Sequence, residues 1–139
     1  MLMLLAGGTA LVVDQISKHV VARMLSESAT AWRWSIFTIT RRTFRVGEPR
    51  GLSHHAALLA LWALAALAGV IYVTLAAPSG GALPRAALGS AIGGAASNLF
   101  DRLCRRGIVD FIAVGFWPVF NLADVAIVGG VLLTLCAAG

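Results

Sequence analysis

The sequence predicts an all-α membrane protein with four transmembrane helices, and three observations support that fold class. Of its 139 residues, 59% are hydrophobic and only 12% are charged, whereas a soluble domain is usually about 25% charged. The mean hydropathy is +0.87. Four stretches approach the roughly 20 apolar residues that a membrane-crossing helix needs. Lipid is therefore the expected surrounding for most of the chain, because a helix satisfies its own backbone there.

The four segments belong to one polytopic domain, 1–139, and differ in their polar content. They cover about residues 2–22, 56–77, 86–103 and 119–138. The first contains Asp14 and Lys18, and the second contains no charge. The third contains Asn98, and the fourth begins with Asn121 and Asp124. Because the first segment has an acidic residue and no basic region before it, we interpret it as a helix and not as a signal peptide.

The polar connections carry most of the arginines. The first loop, 23–55, includes the β-prone stretch Trp32–Thr40, so we expect a short β-sheet or an interfacial element there. Residues 78–85 form a Gly/Pro turn, and 101–118 form a mixed loop. The two long loops hold nine arginines and the turn holds one. The positive-inside rule alone therefore places the long loops in the cytoplasm.

The charge pattern and the cysteines exclude several classes of partner. The net charge is +5, but the arginines lie between apolar blocks and not along one polar face, so we expect no nucleic acid. Cys104 and Cys136 lie in different segments, and the sequence has no Cys/His cluster with metal-ligand spacing. The adjacent His54 and His55 suit a polar helix edge better than joint chelation. We therefore expect no metal and no cofactor.

All four aspartates lie within or next to a predicted membrane segment. They are Asp14, Asp101, Asp110 and Asp124. An ionisable group inside a membrane costs about 2.5 to 3.5 kcal/mol on insertion scales, so it usually marks function. Asp14 and Lys18 are four residues apart and can pair on one helix face. That pair either neutralises charge so that the helix can insert, or it faces a substrate channel.

Polar residues also cluster where the third segment ends and the fourth begins. Asn98, Asp101 and Arg102 share one helix face. Arg102 can bridge acidic groups, although an Asp–Arg pair at a helix end is most often a structural cap or clamp. Asn121 and Asp124 are three residues apart and also share a face. Asp124 has a simpler interpretation as well, because a helix N-terminus favours any carboxylate.

Asp110 lies in an unusually apolar setting, the run Ile108-Val-Asp-Phe-Ile112. A carboxylate flanked in this way is costly unless it has a partner or a proton. Two such carboxyl groups close together cannot both ionise easily, so one keeps its proton. The ionised group can then activate water while the protonated group polarises a peptide carbonyl. This pattern suits aspartic peptide hydrolysis, and the sequence has no G-x-S-x-G motif for a serine nucleophile.

Small residues repeat every four positions along the third segment. Gly89, Gly93 and Ser97 form one row, and Ser90, Gly94 and Asn98 form a second. Rows of small residues let helices approach one another closely. We therefore expect them to pack the third helix tightly enough to fix where Asn98 and Asp110 point.

Four polar blocks, taken together, resemble those of lipoprotein signal peptidase, signal peptidase II. They are Asp14-Gln-Ile-Ser-Lys18, Gly93-Gly-Ala-Ala-Ser-Asn-Leu-Phe-Asp-Arg102, Ile108-Val-Asp-Phe-Ile112 and Phe120-Asn-Leu-Ala-Asp-Val-Ala-Ile127. They occur in the right order across nearly the whole chain. The resemblance implies a four-helix aspartic endopeptidase of the inner membrane that cleaves prolipoproteins just before a lipid-modified cysteine. It implies contact with membrane lipid and an active site toward the outer face, and we expect a monomer.

The resemblance assigns the catalytic dyad to Asp110 and Asp124. It implies substrate-binding or supporting roles for Asp14, Lys18, Asn98, Asp101, Arg102, Asn121 and Ala123. Spacing alone does not choose between dyad members, so Asp101 stays a rival. The resemblance places both long loops outside the cell, against the arginine bias. We follow it, and expect some of those arginines to bind lipid headgroups or the active-site carboxylates.

The first long loop departs from the family pattern. Arg45-Val-Gly-Glu-Pro-Arg50 stands where an Asn-x-Gly-Ala-Ala-Phe type of motif is usual, so Arg45 replaces an asparagine associated with substrate binding. One alternative is therefore a catalytically impaired member that binds lipidated peptides or membrane partners. Another is an ion-linked transporter, which does not explain the ordered blocks. Because the chain begins inside a hydrophobic run and ends without a basic tail, we expect a minimal or truncated version.

Overall fold

Three helices and one antiparallel sheet are described by the computed structural model, which covers residues 1–25, 30–34, 37–45, 71, 81–105 and 107–138. The helices are α1 (Leu2–Met24), α2 (Ala82–Cys104) and α3 (Leu122–Ala138). The strands are β1 (Thr30–Trp34), β2 (Phe37–Arg45) and β3 (Gly107–Val114), in the order β1-β2-β3.

The helices agree in position with three of the predicted segments. The first, third and fourth segments coincide with α1, α2 and α3. The second, 56–77, lies outside the described residues except for residue 71, which is helical. No helix in the described ranges is both long enough and apolar enough to cross a membrane. The number of membrane spans stays a prediction.

Helix α2 packs against both α1 and α3 through glycines. A Cβ added to Gly93 would meet the carbonyl oxygen of Gly7 on α1. A Cβ added to Gly94 would lie 2.5 Å from the carbonyl oxygen of Ala123 on α3. Backbones this close have no room for a side chain between them. The predicted role of the small-residue rows, close helix packing, is confirmed on both sides of α2.

The sheet is only partly the one that the sequence predicted. The β-prone first loop supplies β1 and β2, which confirms the expectation of a short sheet. The third strand, β3, lies in 101–118, which was expected to be a loop, and that expectation was wrong. Its apolar residues flank a single charge, so neither the alternation of a half-buried strand nor a continuous buried run is present. Pairing with β2 supplies its backbone hydrogen bonds, and Asp110 lies opposite Arg42 in the register.

A tight return after β3 brings the start of α3 beside that strand. Gly115 adopts a positive φ of 52°, which glycine tolerates because it has no Cβ. The amide of Trp117 donates to the Val114 carbonyl at 2.9 Å. Phe120 and Ile112 then exchange backbone hydrogen bonds of 2.8 and 2.9 Å. Because Asn121 follows Phe120 directly, the return delivers it to the strand that carries Asp110.

The described part of the molecule has polar side chains inside and large apolar ones outside. Asp14, Lys18 and Asn121 are 0% exposed. On the helix surfaces Ile16 is 58% exposed and Leu132 is 57% exposed. Charged residues are almost never fully buried in soluble proteins unless they are paired. The interior of this bundle is therefore held together by specific polar contacts as well as by apolar packing.

Candidate active site

Lys18 lies at the centre of the buried polar cluster. Its Nζ is 2.5 Å from Asp14 Oδ2 and 2.7 Å from Asp101 Oδ2. It also donates to Asn98 Oδ1 at 2.9 Å. An ammonium group has three N–H donors, and each of the three has an acceptor here. The predicted pairing of Asp14 with Lys18 is confirmed, and the pair also joins α1 to α2.

Asp14 connects α1 to both other helices. Its Oδ2 accepts a hydrogen bond from Ser97 Oγ on α2 at 2.6 Å. Its Oδ1 accepts from the backbone amide of Ala123 on α3 at 2.8 Å. That amide lies in the first turn of α3, where unpaired N–H groups and the helix dipole favour a negative charge. Asp14 therefore fixes the start of α3 against the other two helices.

Asp101 lies on the far side of Lys18, between two cations. Besides Lys18, its carboxylate binds Nη1 of Arg105, the C-cap residue of α2, at 3.1 Å. Gln15 Nε2 donates to the same Asp101 oxygen at 3.1 Å. Two cations and one amide therefore occupy the Asp101 carboxylate. The supporting role of Asp101 stays a prediction from the resemblance.

Arg102 does not take part in this cluster as far as the described residues show. Its side chain is exposed, while Arg105 occupies the position beside Asp101. On a helix, residues four apart share a face more closely than adjacent residues, which point about 100° apart. A site role for Arg102 stays a prediction from the resemblance.

Asn121 and Asp124 form the N-terminal cap of α3. The backbone amide of Asn121 donates to Asp124 Oδ2, and that of Asp124 donates to Asn121 Oδ1, both at 3.1 Å. Reciprocal bonds of this kind make a capping box, which satisfies amides that a helix start leaves unpaired. The predicted shared face of these two residues is confirmed, and their mutual capping fixes both side chains.

Two asparagines link the carboxyl groups of Asp110 and Asp124. Asn121 Nδ2 donates to Asp110 Oδ1 at 2.6 Å. Asn98 Nδ2 donates to Asp124 Oδ1 at 2.8 Å. The asparagines are themselves joined, because Asn121 Nδ2 lies 3.2 Å from Asn98 Oδ1. A strand and two helices therefore converge on one hydrogen-bonded unit with a carboxyl group at each end.

The environment of Asp110 favours its protonated form. Burial, and then the negative charge of Asp124, raise the pKa of Asp110 to about 7, although the hydrogen bond from Asn121 acts in the opposite direction. At neutral pH this carboxyl group can therefore both hold and release a proton. Two coupled carboxyl groups with one proton between them can act together as acid and base on one substrate.

Three residues of the cluster were not predicted as site residues: Gln15, Ser97 and Arg105. Arg105 could have been found, because it lies four residues after Asp101 on the same helix. Ser97 was interpreted as a packing residue, since its row with Gly93 suggested size and not hydrogen bonding. Gln15 follows Asp14 on α1, and its side chain donates to Ser97 and Asp101 on α2. Its role therefore depends on how the two helices pack.

The remaining predictions concern residues whose side chains do not reach the cluster or that lie outside the described residues. Ala123 is fully buried, and its backbone amide, not its side chain, reaches the cluster. Arg45 ends β2, and the rest of the divergent motif, 46–50, lies outside the described residues, as do His54 and His55. Within the described ranges, no three His, Cys, Asp or Glu side chains group in a way that could hold a metal ion. The expectation that no cofactor is used stays a prediction.

The fold and the site together define a class of protein. It is a helical protein in which two helices and one strand of a small sheet bring two carboxyl groups into one hydrogen-bonded unit. The chain belongs to the signal peptidase II family, because the sequence model described as "Signal peptidase (SPase) II" matches residues 7–138. This match confirms the resemblance found in the four polar blocks.

Individual relatives agree with the family assignment. The chain is 37% identical over 139 residues to the lipoprotein signal peptidase of Teredinibacter turnerae, a match that covers 91% of this chain and 82% of that protein. It is 54% identical over 52 residues to the lipoprotein signal peptidase of Mycobacterium avium (strain 104), covering 33% of this chain. The latter match spans only 29% of the Mycobacterium avium protein.

Two solved structures share the fold. Both are of a bacterial membrane enzyme determined by the in meso method, at 2.3 Å and 1.9 Å resolution. Each superposes with a TM-score of 0.71 at 21% sequence identity and covers 97% of this chain. The matches cover 85% and 90% of those chains. At this identity the likeness extends to the fold alone.

Proposed function

We propose that this protein is a membrane aspartic endopeptidase that removes signal peptides from prolipoproteins in front of a diacylglyceryl-modified cysteine. Asp110 and Asp124 are its catalytic residues. The observation that carries the proposal is that Asn121 binds both of them, Asp110 through its side chain at 2.6 Å and Asp124 through its backbone amide at 3.1 Å. One rigid residue therefore holds two carboxyl groups in a fixed relation, as acid–base catalysis requires.

The chemistry follows from one proton shared by the pair. The ionised carboxylate takes a proton from a water molecule as that water attacks the scissile carbonyl carbon. The protonated carboxyl group polarises the carbonyl oxygen and supplies the proton that the leaving amine needs. The raised pKa of Asp110, about 7, suits a group that must keep a proton near neutral pH and then give it up.

Membrane surroundings are supported by the distribution of side chains and by the family. Buried charges and exposed apolar residues are the pattern expected when lipid and not water surrounds helices. Family membership supports a lipid-modified substrate, whose acyl chains would stay in the bilayer while its peptide reaches the carboxyl pair. We expect the enzyme to act as a monomer in the cell membrane, with its site toward the outer face.

The alternative of a catalytically impaired member is not favoured. Both carboxyl groups, the asparagines between them and the Lys18 cluster are all present and in contact. These contacts join residues of α1, α2, β3 and the start of α3, whereas the divergent Arg45–Arg50 motif belongs to the first long loop. We expect it to change which precursors are accepted and not to remove the chemistry.

A cleavage assay with the full chain in detergent micelles tests the proposal. A lipidated precursor is incubated with the protein, and mass spectrometry identifies the products. We expect cleavage in front of the modified cysteine, and a loss of at least about 100-fold in Asp110→Asn and in Asp124→Asn. Thr9→Ala is the matched control, because Thr9 is exposed on α1 and, among the described residues, its hydroxyl binds its own helix at Leu5. An Asp110→Asn or Asp124→Asn variant with the activity of the control would exclude that residue from the pair.

A further inference from the structure

Lys18 determines which way the Asn98 side chain faces. An ammonium group can only donate hydrogen bonds, so the Asn98 atom 2.9 Å from Lys18 Nζ must be the oxygen, Oδ1. The Asn98 amide nitrogen is therefore directed toward Asp124 Oδ1, 2.8 Å away. Lys18 cannot shift to permit the reverse orientation, because two buried carboxylates, Asp14 and Asp101, hold its other donors.

The orientation of Asn121 is fixed in the same manner by a backbone group. The amide N–H of Asp124 donates to the Asn121 side chain at 3.1 Å, so the acceptor there must be Oδ1. Asn121 Nδ2 then faces Asp110 Oδ1 and Asn98 Oδ1. Neither amide can be flipped without placing donor against donor.

These orientations give the two carboxyl groups different numbers of donors among the described residues. Asp124 accepts at both oxygens, from Asn98 Nδ2 at Oδ1 and from the Asn121 backbone amide at Oδ2. Asp110 accepts from Asn121 Nδ2 at Oδ1. Donors stabilise a carboxylate in its ionised form, and Asp124 also lies in the first turn of α3, where the helix dipole favours negative charge.

The charges of the described side-chain cluster do not reverse this difference. The charged groups bonded within that cluster are Asp14 and Lys18 on α1, Asp101 on α2 and Arg105 at the C-cap of α2. Arg42 lies opposite Asp110 in the β2–β3 backbone register. Lys18 favours ionisation of both carboxyl groups, and Asp14 disfavours it for both. Because Lys18 and Asp14 act with the same sign at both sites, the hydrogen bonds are what distinguish the two carboxyl groups among the described side chains.

We propose that Lys18 and Asn98 are positioning residues that make Asp124 the ionised member of the pair and leave the shared proton on Asp110. The division of catalytic roles that follows rests on the proposed function. Asp124 takes a proton from water while the hydroxyl oxygen bonds to the scissile carbon. The carbon–nitrogen bond then breaks and Asp110 gives its proton to the amine. Asp124 now holds the water proton, and its return to Asp110 restores the starting state.

Site-resolved titration of the full chain in detergent micelles tests the assignment. The chain contains only four aspartates, so 13C labelling of their carboxyl carbons gives a simple NMR spectrum. Asp110→Asn and Asp124→Asn identify the two signals. We expect the Asp124 signal to report loss of its proton at a lower pH than the Asp110 signal. The reverse order in the unaltered protein would overturn the proposal.

The role of Asn98 is tested by Asn98→Leu, which keeps a similar volume but removes the donor. We expect the Asp124 midpoint to rise by about one pH unit, since a hydrogen bond to a charged group is lost. Ser90→Ala on the same helix is the control, because within the described ranges the Ser90 hydroxyl binds Ala86 of its own helix. A folded Asn98→Leu protein with both midpoints unchanged would remove Asn98 from this role. The titration needs no turnover, so a negative cleavage assay with the expected midpoints would overturn the proposed function alone.

Discussion

Asn121 and Asp124 hold each other at the first turn of α3 through two reciprocal hydrogen bonds of 3.1 Å. The same asparagine reaches across to β3 and donates to Asp110 at 2.6 Å. The cap that starts the helix and the link between the two carboxyl groups are therefore one residue. Its structural and catalytic contributions can be separated by substitution, because the cap needs an acceptor while Asp110 needs a donor with longer reach.

Asn121→Ser and Asn121→Ala should differ in stability but not in activity. Serine keeps a cap acceptor, and alanine does not, so we expect Asn121→Ala to be less stable than Asn121→Ser by about 1 kcal/mol. Neither side chain reaches Asp110, so both should lose about 100-fold or more in cleavage rate. Thermal unfolding in micelles and the precursor assay measure the two effects. Wild-type cleavage by Asn121→Ser would show that the link to Asp110 is dispensable.

Replacement of Lys18 should destabilise the fold far more than replacement of Arg105. Lys18→Met leaves the buried carboxylate of Asp14 without its cation and removes one of the two cations beside Asp101, which costs about 3 to 5 kcal/mol. Arg105 is 39% exposed, so Arg105→Ala should cost no more than about 1 kcal/mol. Chemical denaturation of both variants in the same detergent tests this. Equal losses would contradict a central role for the Lys18 ammonium.

The raised pKa of Asp110 predicts a specific pH dependence of stability. The pKa rises from 3.8 to about 7 on folding, so the folded protein binds this proton more tightly than the unfolded chain does. The resulting stabilisation is complete below about pH 4, falls as the pH rises toward 7, and is absent above it. Its full size is at most about 4 kcal/mol.

Asp110→Asn removes that ionisation and provides the comparison. Between pH 4 and pH 7, the free energy of unfolding of the unaltered protein should fall relative to that of Asp110→Asn. Subtraction of one curve from the other cancels the contributions of carboxyl groups that do not interact with Asp110, whereas Asp124 contributes to the difference because the two charges act on each other. Parallel curves across this range would mean that Asp110 titrates as it does in the unfolded chain.

Close packing of α1 against α2 predicts that Gly93 tolerates no side chain. In Gly93→Ala the new methyl group would meet the Gly7 carbonyl, so we expect a loss of about 1 to 3 kcal/mol. Gly129→Ala on α3 is the matched control, because a Cβ there meets no atom of the described part of the chain within 4 Å. That substitution should stabilise its helix by about 0.5 to 1 kcal/mol. Similar melting temperatures for the two variants would contradict the close approach of the backbones.

The contacts that the sequence predicted correctly are those set by local geometry. Asp14 with Lys18, and Asn121 with Asp124, were expected to share helix faces, and both pairs are in contact. Their spacing of three or four residues is enough, because the helix repeat brings such positions together whatever surrounds them. The close packing of the small-residue rows was predictable for the same reason, because a repeat of four residues places them on one face of the helix.

The contacts that were missed join residues far apart in the chain. Asn98 meets Asp124 across 26 positions, and Gln15 meets Asp101 across 86. Spacing did not separate Asp101 from Asp110, since both are acidic residues near an apolar run. The two differ in their tertiary neighbours, because Asp101 lies between two cations and Asp110 lies beside a second carboxyl group.

By itself the sequence determined an apolar, mainly helical chain, the helix faces that carry its charges and the four blocks that mark its family. Only the tertiary structure decided that 107–114 is a strand, that Lys18 binds three acceptors, and that Asn121 joins Asp110 to the start of α3. The physical reason is the range of each interaction. Helical periodicity acts over one turn of a single segment, whereas strand pairing and buried hydrogen bonds depend on which distant segments the packing brings together.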